Sequence, residues 1–304
     1  MPAFTRLLAA EGIKGRRAPL LRLVWLLPLL FIALEFLVFE RPALGLRSLP
    51  PELRQTLDGM QVKLLVAFWG GYFHPLMLAL VPALVFRPEH RFRTWRRLFA
   101  MPVPRRQVYL AKAVWTLALT AFMLALIGLL LLGVHRAVAA LNPVVALPFH
   151  GRQMLRALGW MWLGSLPVLA IYIWASDRIN SLAVPIMLGL VGLILTMALT
   201  GQELAQPWRR DLIPWVLPYV AAEQTIHTGI SQQEAHLAGK FFEDEPGFLR
   251  LPNGRKFRVH ANAKVEDIFP PPPPTPAWLL ATFSAVAGLV LLGLGWLDAG
   301  RQRT

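Results

Sequence analysis

Hydrolysis at or within a membrane requires histidines and carboxylates that converge, for example a His pair with a Glu on one helix face. In this chain of 304 residues His74, His135, His150, His227, His236 and His260 are scattered, and no H-x-x-x-H arrangement occurs. No serine sits in a G-x-S-x-G setting. Cysteine is absent, which excludes thiolate nucleophiles, disulfides and Cys-type metal sites. There is no G-x-x-x-x-G-K-[ST] phosphate loop, so the chain cannot hydrolyse ATP itself. No catalytic residue, metal ligand or cofactor site is therefore assigned. The residues left with a chemical task are arginines: "RPEHRFRTWRRLFAMPVPRRQVYLAKAVW", Arg87 to Trp115, places seven arginines in twenty residues between two very apolar segments.

Those segments define the class. The chain is 56% hydrophobic with mean hydropathy +0.50 and only 16% charged residues, against about 25% charged in a soluble domain. Length alone would allow two soluble domains, but the apolar residues fall in six blocks long enough to cross a bilayer, which takes about 20 residues. The first, Leu20 to Phe39, is interrupted only by Arg22, Pro28 and Glu35. It exceeds the apolar region of about 7 to 15 residues in a cleaved signal peptide and is read as retained. The others, Leu64 to Phe86, Ala113 to Val134, Ala157 to Ser176, Ile179 to Gln202 and Ala277 to Leu297, contain no lysine, arginine, aspartate or glutamate.

Six spans place both termini on one side, and basic residues say which. The N-terminal 19 residues carry four Lys/Arg, Arg87 to Lys112 eight, Arg178 one and the tail after Leu297 two. The short loops on the other side, Glu40 to Lys63 and His135 to Arg156, carry four and three. The long segment Gly201 to Pro276 carries eight bases against nine acids, and a loop of that length crosses largely regardless of charge. The termini and Arg87 to Lys112 are thus expected in the cytoplasm, in a multi-pass protein of the inner membrane. The net charge of +14 is mostly this asymmetry, so it gives no reason to invoke nucleic acid.

Within the arginine-rich stretch Pro88 sits where a helix could begin, and Pro102 and Pro104 where it must stop. Phe92, Trp95 and Phe99 recur at i, i+3 and i+7. The pattern predicts a short amphipathic helix lying flat on the inner surface, its aromatic stripe at the acyl boundary. Two readings remain open: a positive-inside anchor, or a docking surface.

The pattern "PEHRFRTWRRLFAMPVPRRQVYLAK" resembles the intracellular loop of ABC exporter permeases of the ABC-2 superfamily. The resemblance rests on Glu89, Leu98, Pro102, Val103, Arg105 and Lys112. It implies a coupling helix, Glu89 to Met101, set against a separate ATP-binding subunit, with Glu89, Phe92, Trp95, Leu98, Phe99, Pro102, Arg105 and Lys112 as coupling residues. The N-terminus "FTRLLAAEGIKGRR" is similar to the interfacial lead-in helix and basic turn of the same permeases, through Phe4, Leu7, Leu8, Lys14, Arg16 and Arg17. "RRDLIPWVLPYV", Arg209 to Val220, resembles the Pro-Trp-x-x-Pro segment of lantibiotic and bacteriocin immunity and export permeases. Its alternative is an interfacial aromatic belt of Trp208, Trp215 and Tyr219. A second permease, identical or related, is also implied. Ala79/Ala83 or Ala121/Ala125 are small-xxx-small pairs that could serve that contact.

The segment after the Pro-Trp element departs from the family pattern. In "FLRLPNGRKFRVH" Leu249 and Leu251 alternate with Arg250, and Phe257 and Val259 alternate on return. This predicts a β-hairpin with a type I′ turn at Asn253-Gly254. "PPPPPTP" from Pro270 is a stiff polyproline spacer. Inside the spans, Glu35 lies near the outer end of the first, where a carboxylate costs less than at the centre. His74, followed by Pro75, could line a pathway or bond the carbonyl that Pro75 leaves free.

The expected fold is an all-α integral membrane protein of six spans. An interfacial helix occupies 1–19, spans one to five occupy 20–202 with the coupling loop 87–112, and an extracytoplasmic segment with a small hairpin occupies 203–276. The sixth span is 277–297 and the cytoplasmic tail 298–304. The expected function is a permease moving an amphipathic substrate outward. A polytopic membrane hydrolase and an ATP-independent transporter are the alternatives, but spans two to six lack the midplane carboxylates a coupling ion needs.

Overall fold

The computed structural model describes residues 3–17, 22–37, 65–91, 104–141, 151–179, 181, 183–200, 215–219, 222, 248–250, 256–258 and 277–301. Helix α1 (Ala3–Arg17) and α2 (Leu23–Glu35) come first. A π-helical segment, Leu65–Phe73, then runs directly into α3 (His74–Arg91). The change of helix type falls at His74-Pro75, where the proline has no N–H to give to the preceding turn and one rung of the ladder is lost. The long helices α4 (Arg105–Leu141) and α5 (Gly151–Arg178) follow, then α6 (Ala183–Thr200) and α7 (Ala277–Arg301).

At 1.5 Å per residue the 37 residues of α4 extend about 55 Å, well beyond a hydrocarbon core of about 30 Å. The uncharged stretch from Ala113 to Val134 is by itself long enough to fill such a core. Among the described residues, four helical stretches are long and apolar enough to cross a membrane: Phe68–Pro88, Arg105–Leu141, Gly151–Arg178 and Leu279–Gly300. The expected first and fifth spans coincide with shorter apolar helices, Val24–Glu35 and Ala183–Leu199.

The bundle is held by α5, which packs against α3, α4 and α7, while α6 lies on α3 and both α1 and α2 lie on α4. Its main core joins Phe31, Trp69, Val81, Phe86, Met123, Ile127 and Met161. The outward faces of α6 and α7 stay apolar, with Met187, Ile194, Leu289 and Leu294 exposed, as befits side chains whose solvent is lipid. Ala79 and Ala83 are buried, Ala79 lying against Gly189 of α6. That small-residue pair thus serves packing within the chain and is not free for a second copy.

Beyond the helices, β1 (Phe248–Arg250) pairs antiparallel with β2 (Lys256–Arg258), Arg250 opposite Lys256. An odd number of residues separates these partners. Without a bulge this register does not accommodate a two-residue turn at Asn253-Gly254, which needs an even number. The turn itself lies outside the described residues, as does the polyproline stretch.

Candidate functional site

Glu11, Lys14, Arg105, Lys112, Asp177, Arg178 and Asp298 are joined in ion pairs toward one end of the bundle. Lys112, two turns into α4, is fully buried. Its Nζ donates to Glu11 Oε2 of α1 at 2.9 Å and to the Val85 carbonyl of α3 at 3.1 Å. It also lies 5.3 Å from the centre of the Phe86 ring, within cation–π range. The second oxygen of Glu11 accepts from Lys14 at 2.7 Å. One carboxylate, 5% exposed, thus ties the N-terminal helix to the end of α3 and the start of α4. A buried ion pair of this kind survives desolvation only because its remaining hydrogen-bonding positions are also used.

A second set of fasteners joins α4, α5 and α7 at the same end. Arg105 Nη2 is 3.8 Å from the buried Asp177 of α5. Asp298 of α7 accepts from Arg178 and, at 3.0 Å, from Trp174 Nε1. The Arg106 guanidinium lies 4.8 Å over the Trp296 ring. Together the two sets form a charged collar whose members come from α1, α3, α4, α5 and α7.

The middle of the bundle is built from neutral bonds. His74 Nε2 lies 2.7 Å from Ser165 Oγ of α5, both residues fully buried. Ser165 donates its own hydrogen to the Met161 carbonyl at 2.6 Å. With that hydrogen committed, Ser165 accepts from His74, which assigns the imidazole proton to Nε2. Nearby, Trp215–Tyr219 folds back between the helices: Val216 and Leu217 are fully buried. Trp215 Nε1 donates to Tyr172 Oη at 2.9 Å, Tyr172 donates to the Leu188 carbonyl at 3.1 Å, and Thr196 donates to the Trp215 carbonyl at 2.9 Å. Glycines make the room. A Cβ on Gly164, at the midpoint of α5, would stand 2.8 Å from Pro218 Cα, and one on Gly192 of α6 would collide with the Trp215 indole.

These positions revise several expectations. Lys112 faces inward to Glu11 rather than toward a docked partner, because the surrounding Val85, Phe86 and α1 close over it. Arg105 stands at the collar. Glu89 lies within α3, and Phe92, Trp95, Leu98, Phe99 and Pro102 fall outside the described residues. Glu35 is buried, 6% exposed. His74 takes Ser165 as its partner. Trp215 and Tyr219 do not form a belt at the lipid surface but enter the bundle. Sequence reasoning passed over Glu11, although it is the sole acid among the first 34 residues, and a single acid in a basic lead-in is a signal for an internal partner.

A bundle of long apolar helices, fastened by ion pairs at one end and hydrogen-bonded neutrally at its centre, is the architecture of a multi-pass membrane protein. Residues 7–196 match the family described as ABC-2 family transporter protein, and the chain belongs to that family. No curated protein and no solved structure matches it. The membership makes this chain a membrane permease component of an ABC transporter rather than a catalyst, and permeases of this family typically work with an ATP-binding subunit.

Proposed function

We propose that the chain is the permease subunit of an ABC exporter. It crosses the inner membrane six times with both termini in the cytoplasm, α2 and α6 serving as parts of the first and fifth spans. It moves an amphipathic substrate outward with energy from a separate ATP-binding subunit, beside a second permease that is a copy or a relative. A bacteriocin-type peptide is the favoured cargo, on the resemblance of the Pro-Trp-x-x-Pro segment.

The observation that carries this reading is the family match together with the corner between α3 and α4. The arginine-rich connection joins the end of α3 at Arg91 to the start of α4 at Arg105, and the Val85 carbonyl and the Phe86 ring of α3 both meet the Lys112 ammonium of α4. A push on that connection reaches α3, α4 and, through Glu11, α1 at once. Rigid helices joined by such pairs pass a displacement on as a body.

The test is reconstitution with a separate phosphate-loop ATPase subunit. Trp95→Ala should lower both transport and substrate-stimulated ATP hydrolysis while membrane insertion survives. Unchanged transport would count against the coupling role.

A further inference from the structure

Trp215–Tyr219 belongs to none of the long helices, yet it fills space between two of them. Helices α5 and α6 scarcely touch each other, and the segment lies between them, with Gly164 of α5 against Pro218 and Gly192 of α6 against the Trp215 indole. Gly70 and Gly71 of the π-helical segment face the Tyr219 ring, a Cβ on either lying 3.7 Å from it. A wall of glycines has no side chain to interlock with the segment, so its departure requires no change of rotamer along these contacts.

The hydrogen bonds have the same character. Thr196 Oγ1 is 2.9 Å from the Trp215 carbonyl and 2.9 Å from the Gly192 carbonyl of its own helix, and its single hydrogen can satisfy either one. Tyr172 Oη accepts from Trp215 Nε1 while its own hydrogen goes to the Leu188 carbonyl at 3.1 Å. Without Trp215, Thr196 keeps Gly192 and Tyr172 keeps Leu188. Neither hydroxyl is orphaned, so the penalty that pins most buried hydrogen-bonded groups in place is missing here. Separating Glu11 from Lys112, by contrast, would bare a buried ammonium. What holds the segment at rest is the burial of Val216 and Leu217, which cluster with Leu280 of α7.

We propose that Trp215–Tyr219 is a releasable plug. Docked, it closes the cleft between α5 and α6 at the level of Gly164, the midpoint of α5. Withdrawn, it opens an apolar cleft in which the Tyr172 and Thr196 oxygens accept hydrogen bonds from a passing substrate. The proposal rests on the transport role of the chain but not on its cargo or on its ATP-binding partner.

The first test needs no ATPase and uses the full chain in nanodiscs with Leu217→Cys as the sole thiol. Leu217 is fully buried when docked, so this thiol should react slowly with a water-soluble maleimide. Tyr172→Phe removes the acceptor of the Trp215 indole and should speed the reaction about fivefold, the weight of one net hydrogen bond. Ile127→Cys, at a fully buried position of α4, should stay protected in the same background. Equal rates at the two thiols would mean that the helices loosen together, and labelling of Leu217→Cys unchanged by Tyr172→Phe would make the segment a fixed part of the core; either result overturns the proposal. The second test ties the segment down in the reconstituted transport assay, with Gly71→Cys and Tyr219→Cys joined by a short bis-thiosulfonate linker. Linking should abolish transport and a reductant should restore it. Transport by the unlinked variant reports on the exporter reading, whereas a linked variant that transports at the unlinked rate would overturn the plug alone.

Discussion

The two ends of the interaction scale in this protein sit at different depths. At the collar, helices are joined by full charges: Glu11 to Lys112 and Lys14, Arg105 to Asp177, Arg178 to Asp298. At the centre they are joined by neutral bonds, His74 to Ser165 and Trp215 to Tyr172, and by close approach at glycines. The difference follows from the solvent. An ion near the headgroups has water and phosphate within reach, whereas the bilayer centre penalises charge by about 2.5–3.5 kcal/mol on insertion scales. Charged fasteners therefore belong near the headgroups and neutral ones toward the bilayer centre.

Breaking the collar at its most buried pair should have the largest effect. Glu11→Gln leaves the Lys112 ammonium without its counter-charge and should destabilise the folded protein by about 3–5 kcal/mol, read as a fall in unfolding temperature in detergent. The double variant Glu11→Leu with Lys112→Met should recover most of that loss. A double variant no more stable than Glu11→Gln would show that the site needs its ions for more than mutual neutralisation.

At the centre the expected effects are smaller and steric. Gly164→Ala places a methyl against the backbone of Pro218 and should cost about 1–3 kcal/mol through overpacking. Gly159→Ala, where nothing lies within 4 Å, should be neutral or slightly stabilising. Trp215→Phe removes the bond to Tyr172 and should cost about 1 kcal/mol beyond the lost ring contacts, checked in the same unfolding assay. Asp298→Asn touches a pair whose side chains are 33% and 36% exposed. It should change stability by under about 1 kcal/mol, an effect that shrinks further as salt is raised.

The helices were legible because each reports its own solvent: a run such as Ala113 to Val134 has no charged residue. Arg105 and Lys112 were legible as important but not in direction, since a lysine at a span boundary looks the same whether it meets a partner subunit or a buried Glu11 one hundred and one positions away. The folding of Trp215–Tyr219 into the bundle was hidden for the same reason. Its prolines and aromatics suit a headgroup belt equally well, and only Gly164 and Gly192, on other helices, make space for it. The His74 partner was likewise hidden, because Ser165 belongs to a helix ninety-one residues on.

The claim on which the account depends is that the charged collar faces the cytoplasm. Because the chain has no cysteine, a single one can be placed at Thr94 in the arginine-rich connection and, in a second variant, at Gln232 in the long segment before α7. On intact cells a membrane-impermeant maleimide should label Gln232→Cys, and should label Thr94→Cys only after the membrane is permeabilised. Labelling of Thr94→Cys on intact cells would contradict the account.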